Sequence, residues 1–402
     1  ARLDLAGRLY YTEKLEEAAK ELDLLLKLDP KFGPALNLIS YVYGGQKKYD
    51  LAIQYFKEYA AVSPGDANPY DSMGELYFRM GKFDEALEKF NEAIRIKPDF
   101  GSDSKISYIH ALREDYAGSL TWIDQFIDKA PSNGLKAWGC QLRAIYDHSL
   151  GKTEAAFADL ERAKQYALAD NDFLNANSLY RSKIWISYDL GRYGDFLRYA
   201  KERFEFRAEK NIQSEPLNDI VFACYQGLAE IRQNRPDAAR AELAKIEAAE
   251  SKVGDPEKPV VGMAFNHLLT EILIAQGEQE KAIDAYKKIG GPSINIGGIG
   301  TLIFHGVPYI LDIPARAYLK KGQLDKAIAE YEKLISPDPV AREYELIHPL
   351  SRFRLAELYE KKGESAKALK QYKTLRLIWK DADPDFAEAG KVRERLATLK
   401  AD

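Results

Sequence analysis

The five histidines are the first residues to consider for chemistry, because imidazole is a common metal ligand and general base. They are His110, His148, His267, His305 and His348. No two of them stand four residues apart, and no cysteine or carboxylate cluster lies at the spacing of zinc ligands. The sequence also has no Gly-x-Ser-x-Gly elbow or compact Cys/His arrangement that would indicate a nucleophile. We therefore predict no catalytic residue, no metal site and no enzyme activity.

A glycine-rich segment is the candidate for a nucleotide site. The stretch from Gly298 to Ile303 contains part of a dinucleotide fingerprint, but the third glycine is missing and no strand precedes it. A complete Gly-x-x-x-x-Gly-Lys-Ser/Thr phosphate loop is also absent from this segment. Tight packing or a partner contact is favoured over a bound cofactor, so no cofactor is predicted. The role of the surrounding loop, Gly290–Gly306, stays open.

Charge and composition exclude whole classes of partner. Of 402 residues, 46% are hydrophobic and 30% are charged, which is typical of a folded soluble protein. The net charge of −4 and the lack of a long Lys/Arg run argue against nucleic acid. No run approaches the roughly 18 apolar residues of a spanning helix, so no membrane partner is predicted. The sequence favours a cytoplasmic location, and export requires a leader removed before Ala1.

An internal repeat is the element that positions these residues. Pro30, Pro64 and Pro98 are spaced 34 residues apart. Within the third repeat the pattern predicts a helix over 69–80, a turn at 81–82 and a second helix over 83–96. Gly74 and Ala86 are expected where the two helices cross, since only small side chains let the backbones approach closely. Each proline is expected to end the second helix of its repeat.

The segment 69–98 resembles the tetratricopeptide-repeat family. The pattern recurs at Gly151 with Ala156 and Ala163, Ala239 with Leu243, Gly277 with Ala282 and Tyr286, Gly322 with Ala327 and Tyr331, and Gly363 with Ala368 and Tyr372. The stretch 346–384 also looks like the repeat regions of bacterial multidomain signalling proteins. The resemblance implies an all-α fold, a right-handed α-α superhelix of about ten helix pairs with a C-terminal capping helix.

The expected organisation is one solenoid over 1–402. We divide it into regular repeats at 1–98, degenerate repeats at 99–250, a linker, a repeat and a Gly-rich apolar loop at 251–307, regular repeats at 308–383 and a capping helix at 384–402. In a solenoid each repeat packs on its neighbours alone. Pro314 is expected to kink a helix or to start a new one with Asp312 as its cap.

The resemblance implies a partner-binding groove on the concave face, lined by the first helix of each pair. Transferring the groove positions selects a set rich in aromatic residues, with two arginines, the types enriched at interfaces. An alternative is that several of them, Trp138 and Trp185 above all, belong to the core between repeats. The set is Asn37, Tyr41, Asp71, Glu75, Phe78, Trp138, Gln141, Arg181, Trp185, Tyr188, Tyr309, Asp312, Arg316 and Phe353.

The acidic pair Asp71 and Glu75 sets an expectation about the ligand. Some family members bind a peptide's terminal carboxylate with Lys, Asn and Arg side chains at groove positions. Here the acids would repel a carboxylate, so a basic or mixed segment is the more compatible partner.

Three functions remain open. The first is a non-catalytic scaffold that binds a segment of another protein. The second is a self-assembling subunit that forms a homo-oligomer or filament through end contacts at Leu3, Leu5, Leu9 and Tyr10. The third is the regulatory arm of a larger bacterial signalling protein.

Overall fold

The protein is all-helical in a computed structural model that describes residues 1–212, 215–289 and 308–399. These ranges contain 21 α-helices of eight or more residues and no β-strand. The helices pack into two compact units. Unit 1 comprises residues 1–131 with 343–345, and unit 2 comprises 132–289, 308–342 and 346–399. The Gly290–Gly306 loop lies outside the described residues.

Unit 1 consists of four antiparallel helix pairs, each with a first helix A and a second helix B. Its helices are α1 Arg2–Tyr11, α2 Leu15–Leu28, α3 Gly33–Gly45, α4 Tyr49–Val62, α5 Asn68–Arg79, α6 Phe83–Ile96, α7 Asp103–Leu112 and α8 Tyr116–Lys129. The B helices α2, α4 and α6 end two residues before Pro30, Pro64 and Pro98. The predicted proline stops are therefore confirmed.

The crossing of α5 and α6 depends on a glycine, as predicted. A Cβ atom at Gly74 would lie 2.5 Å from Cε1 of Phe90, well inside van der Waals contact. Ala86 and Phe90 are both fully buried at this crossing. A small residue on one helix and an aromatic ring on the other thus set the distance between them.

The turns between A and B helices use the left-handed backbone region even where no glycine is present. Gly81 has φ of 73°, and the corresponding turns of unit 1 have Glu13 and Lys47 at 60° and Glu114 at 59°. A positive φ costs free energy for residues with a Cβ atom, and Glu and Lys are not among the types that tolerate it well. Residue type alone therefore did not mark these turns.

A segment distant in sequence completes the core of unit 1. The ring of Tyr344 lies 5.1 Å from that of Phe78, and its hydroxyl donates to the Arg79 carbonyl oxygen at 2.6 Å. Tyr108 in turn donates to the carbonyl oxygen of Tyr344 at 3.0 Å. The prediction that a repeat contacts its neighbours alone is wrong here, because Tyr344 supplies an aromatic side chain to the core.

Unit 2 contains the remaining helices. They are α9 Asn133–Ser149, α10 Thr153–Ala169, α11 Phe173–Asp189, α12 Tyr193–Glu209, α13 Glu215–Arg232, α14 Pro236–Ala249, α15 Lys258–Gln276, α16 Gln279–Tyr286, α17 Ile313–Lys320, α18 Leu324–Leu334, α19 Pro349–Lys362, α20 Ser365–Ile378 and α21 Ala387–Thr398. Helices α9 to α12 have 17 residues each, against 12 to 14 in α3 to α6. The longer pairs explain the weaker repeat pattern in this stretch.

Helix α17 begins anew at Ile313, one of the two outcomes expected at Pro314. Asp312 occupies the N-cap position, but its side chain makes no capping hydrogen bond. The carboxylate is engaged by other side chains instead, as described below.

The C-terminal helix α21 lies within the predicted capping helix and buries an apolar stripe. Val392 is 1% exposed and Leu396 5%. The preceding segment contacts the α9–α10 turn: the Trp379 indole N–H donates to the Ser149 carbonyl oxygen at 3.0 Å, and the Asp383 amide donates to the Gly151 carbonyl oxygen at 3.0 Å. Unit 2 therefore also makes contacts that a simple solenoid lacks.

Candidate functional site

A charged cluster joins two A helices of unit 1. Lys105 of α7 forms ion pairs with both Asp71 and Glu75 of α5, the latter at 2.6 Å. The Ser102 hydroxyl donates to Asp71 at 2.6 Å. Burial raises the pKa of Glu75, but Lys105 and then Arg79 together lower it further, so the net pKa is below the usual value. These two cations offset the predicted acidic pair within the protein, so the expected repulsion of a carboxylate loses its basis.

An aromatic group borders this cluster. The Tyr41 ring packs edge-on against Phe56 at 5.3 Å and lies 6.5 Å from Tyr10. The guanidinium of Arg79 lies over the same ring at 5.6 Å. Asn37, one turn before Tyr41, is half-buried, and its Oδ1 accepts no hydrogen bond from the described residues. A buried acceptor without a donor is the kind of group that a ligand can satisfy.

The A helices of unit 2 meet in a larger polar network. Its first part joins α9, α11 and the start of α19. His148 donates from Nε2 to Oδ2 of Asp189 at 2.9 Å, and Nε2 of His348 lies 3.3 Å from the same oxygen. Burial raises the pKa of Asp189, but the two histidines and Arg354 lower it further, to well below its usual range. Asp189 is therefore an anion across the physiological range.

The second part of the network centres on Asp312, which is 0% exposed. Its carboxylate accepts from Arg316 Nε at 2.7 Å and from the Tyr331 hydroxyl at 3.0 Å. Arg354 of α19 also donates to it. The remaining nitrogens of Arg316 bind both carboxylate oxygens of Glu271 at 2.8 and 2.6 Å. Bidentate pairing of this kind fixes geometry as well as charge.

The third part of the network joins α11, α13 and α15. Arg232 of α13 donates from Nε to the hydroxyl of Tyr188 at 2.7 Å, and Tyr188 directly precedes Asp189 in α11. His267 of α15 is buried near Glu271, and burial lowers its pKa to about 4. Side chains from α9, α11, α13, α15, α17 and α19 thus belong to one network, in which Asp189, Glu271 and Asp312 face Arg232, Arg316 and Arg354.

Comparison with known proteins assigns the fold. Sequence models of the family described as tetratricopeptide repeat match residues 3–70, 72–100 and 315–385. These stretches of the chain are tetratricopeptide repeats. Proteins of this family generally act as protein-interaction scaffolds.

Individual relatives of this chain match short stretches. It is 30% identical over 69 residues to the human cell division cycle protein 16 homolog, covering 17% of this chain and 11% of the relative. It is 35% identical over 72 residues to superkiller protein 3 of Schizosaccharomyces pombe, covering 18% and 5%. The chain thus spans about a tenth or less of these relatives.

Solved tetratricopeptide-repeat structures are similar to the chain at low identity. A C-terminal part of a repeat protein from Cytophaga hutchinsonii has a TM-score of 0.40 at 13% identity, covering 70% of this chain and 98% of the other. Yeast Tom70 has a TM-score of 0.35 at 14% identity, covering 100% and 95%. YrrB, described as having an unusual peptide-binding site, has a TM-score of 0.30 at 17% identity, covering 41% of this chain and 84% of the other.

The structure divides the predicted groove residues into two classes. Buried or internally paired are Asp71, Glu75, Phe78, Gln141, Tyr188, Asp312, Arg316 and Phe353. Half-buried or exposed are Asn37, Tyr41, Trp138, Arg181 and Trp185. The side chain of Tyr309 lies outside the described part of the structure.

Four of the residues in the first class cannot contact a partner while unit 2 keeps its fold. Gln141 donates to Ser182 at 2.9 Å, and Phe353 packs on Trp379. Tyr188 and Asp312 are held by the polar network. In unit 1, Phe78 is 1% exposed and packs against Tyr344. Expecting all these residues in an open groove was wrong, because their partners lie inside the protein.

The predicted end contacts also differ among themselves. Leu3 and Leu9 are partly buried against α2 and α3, and Tyr10 is 5% exposed. Leu5 is 38% exposed and is the residue of this set that projects outward.

One group of side chains has the composition of a metal site. Donor atoms of His148, Asp189 and His348 lie within 4.8 Å of one another in the described part of the chain. Nδ1 of His348, however, accepts the Leu350 backbone N–H at 3.3 Å, so a neutral ring carries its proton on Nε2, facing Asp189. A metal ion would have to displace that proton. The geometry fits a carboxylate held between two imidazoles. Local spacing missed the group because its histidines are 200 positions apart.

No helix among the described residues is both long and apolar enough to span a membrane.

Proposed function

We propose that this chain is a non-catalytic scaffold that binds a segment of another protein along α3, α5 and α7 of unit 1. The observation that carries the proposal is the buried Oδ1 of the half-buried Asn37, which no described donor satisfies. It lies beside Tyr41, an aromatic residue of the type enriched at binding hot spots. Glu75 and Lys105 retain side-chain exposures of 14% and 21%, so this surface is polar but near neutral.

The proposed ligand is an extended segment whose backbone or side-chain N–H groups reach Asn37. Donors suit this acceptor, whereas a strongly basic segment gains little because Lys105 and Arg79 already offset the two acids. This revises the ligand preference deduced from the sequence.

Site-specific photocrosslinking tests the proposal. A photoreactive amino acid at Asn37 should capture a discrete partner in extracts of the source cells. The matched control is Glu88 on the B helix α6, whose side chain is 67% exposed and should capture nothing specific. Equal capture at both positions, or none at Asn37, would contradict binding through this face.

Self-association is a second candidate because α1 and α2 present apolar side chains to solvent. Leu5 is 38% exposed, Tyr11 69% and Leu28 78%. Light scattering over a range of concentrations should show assembly that the double variant Leu5→Lys, Leu28→Lys abolishes. Leu174→Lys, an equally exposed leucine on α11, is the control. A wild-type mass that stays monomeric at all concentrations would rule this candidate out.

A further inference from the structure

Helix α12 pairs its charges on one side and leaves them unpaired on another. Arg198 forms ion pairs with Asp195 and Glu202, each at 2.8 Å. Arg203 and Arg207, also four residues apart, have no carboxylate partner among the described residues. Like charges at this spacing repel, so the second arrangement costs free energy that the first does not.

A third arginine adds to this charge. Arg181 of α11 is exposed, forms no ion pair with a described residue, and lies near enough to Arg203 to lower its pKa. Burial is the larger cause of that shift. Burial and then Arg203 lower the pKa of Arg207 to about 10. Geometry places the three together, since Arg203 donates to Asn177, one turn before Arg181 on α11, and Arg207 lies one turn after Arg203 on α12. The three guanidinium groups have no counter-charge among the described residues, and we call them the arginine cluster.

The cluster is built into the fold instead of lying on a mobile surface. Arg203 is 8% exposed, and its Nε donates to Asn177 Oδ1 at 3.1 Å. Nε of Arg207 is buried and makes no hydrogen bond with a described residue. Tyr225 of α13 packs alongside, with its ring 5.4 Å from Trp185 and 6.4 Å from Phe204. An unmatched donor among fixed cations is an incomplete hydrogen-bonding site.

We propose that Arg181, Arg203 and Arg207 bind a phosphate group, either free or carried on a phosphorylated side chain of a partner segment. Three guanidiniums match the dianionic charge and the several acceptor oxygens of phosphate, and guanidinium forks bind such oxygens in pairs. A carboxylate has one negative charge and two oxygens, so it would leave part of the cluster's positive charge and some of its N–H donors unpaired. The site for free phosphate stands by itself, and the phosphorylated source rests on the proposed scaffold function.

Calorimetric titration of the full chain with inorganic phosphate is the first test, with sodium chloride at equal ionic strength as the control. Saturable binding to the wild type is expected, and Arg207→Gln should weaken it at least tenfold. Arg198→Gln, on the same helix but with its own acidic partners, should bind as wild type. Phosphate behaving like chloride, or binding unchanged in Arg207→Gln, would overturn the site.

Folding is separated from binding by a melting experiment. Since Arg207→Gln removes a repelled, half-buried charge, its melting temperature without phosphate should equal or exceed that of the wild type. If phosphate raises the melting temperature of the wild type but not that of Arg207→Gln, the variant has lost phosphate binding and not its fold. A markedly lower melting temperature of the variant without phosphate would identify Arg207 as a structural residue and contradict the proposal.

The source of the phosphate group is decided by a second titration. A phosphoserine pentapeptide that binds at least tenfold more tightly than inorganic phosphate, with the unphosphorylated peptide inactive, identifies a phosphorylated protein segment. Weaker peptide binding identifies free phosphate. Crosslinking at Asn37 reports on the scaffold surface independently, so failure of either idea is recognised without the other.

Discussion

The charged cluster of unit 1 and the arginine cluster of unit 2 differ in whether their charges are paired. In unit 1, Lys105 and Arg79 offset the charges of Asp71 and Glu75 within the protein. In unit 2, Arg203 and Arg207 have no such partner among the described residues. The comparison shows that the presence of charged residues on repeat helices says little about binding. What matters is whether the fold has already satisfied them.

The two clusters also differ in their relation to the family pattern. In unit 1, Glu75 lies within the matched stretch 72–100, and Asp71 and Lys105 lie within five residues of its ends. The arginine cluster lies between 101 and 314, where no match occurs. The family pattern specifies small and aromatic packing positions. Departures from it leave room for charges that serve another purpose.

The largest predicted effect is the loss of Lys105. Lys105→Ala leaves Asp71 and Glu75 buried without their ion-pair partner, and we expect unfolding free energy to fall by about 3 kcal/mol. Urea denaturation measures this change. Arg198→Ala, which removes an exposed cation, should cost less than about 1 kcal/mol. Equal losses of unfolding free energy in the two variants would contradict the prediction that the buried ion pairs contribute more than the exposed ones.

A smaller effect is expected at the α5–α6 crossing. Gly74→Ala places a Cβ atom against Phe90, and we expect a loss of about 2 kcal/mol. Gly7→Ala is the matched control: it lies within α1 and has no atom within 4 Å of the added Cβ. Higher helix propensity should then stabilise the protein by roughly 0.5–1 kcal/mol. Thermal melting of both variants distinguishes close packing from a general response to glycine replacement.

The two units should differ in their sensitivity to acid. His267 has its pKa lowered from 6.5 to about 4 by burial, so the unfolded chain binds the proton more readily between these values. Stability from neutral His267 is present above pH 6.5 and is lost as the pH falls towards 4. The Glu75 pKa is lowered instead, so its contribution is lost below pH 4.5. Between pH 6.5 and 5, unit 2 should weaken while the unit 1 cluster does not.

Hydrogen exchange of α15 and α5 at pH 6.5 and 5 measures this difference. Burial raises the pKa of Asp147 to about 6, which acts in the opposite direction, so the wild type must be compared with His267→Gln. We expect the variant to remove about 1 kcal/mol of the acid-induced loss in α15. Identical pH dependence in the two proteins would show that His267 does not contribute.

The smallest effect concerns the turns. Lys47 in unit 1 adopts φ of 60°, whereas Gly151 in unit 2 occupies the same kind of turn at 73°. Lys47→Gly removes Cβ strain and should be neutral or stabilising by up to about 1 kcal/mol, whereas Gly151→Ala should be destabilising. In the latter, the new Cβ would also lie 2.8 Å from Phe386. Chemical denaturation of the two variants should therefore show opposite or clearly unequal changes.

Much of the fold was predictable from the sequence because its determinants are local. Helix α6 spans the predicted 83–96, α5 is shifted by one residue, and α21 lies within the predicted capping helix at 384–402. Glycine, alanine and proline act through the backbone within one repeat, so a single sequence reveals them.

The candidate sites were harder to predict because they depend on partners far away in the chain. Nothing near Asp189 in sequence indicates His348, and nothing near Phe78 indicates Tyr344. Arg181 was selected for its residue type, but Arg203 and Arg207 were not. Their distinguishing property is the lack of an acidic partner, which only the packed helices reveal.

The contact between the Trp379–Asp383 segment and the α9–α10 turn has a consequence for how unit 2 unfolds. A linear repeat array can lose terminal repeats one at a time, since each depends on its neighbour alone. Here the last helices are hydrogen-bonded to Ser149 and Gly151, some 230 residues earlier in the chain. Closing so long a loop slows folding, but it also prevents fraying from the end. Unit 2 should therefore melt in one cooperative transition, and removal of its final helices should loosen its first pair.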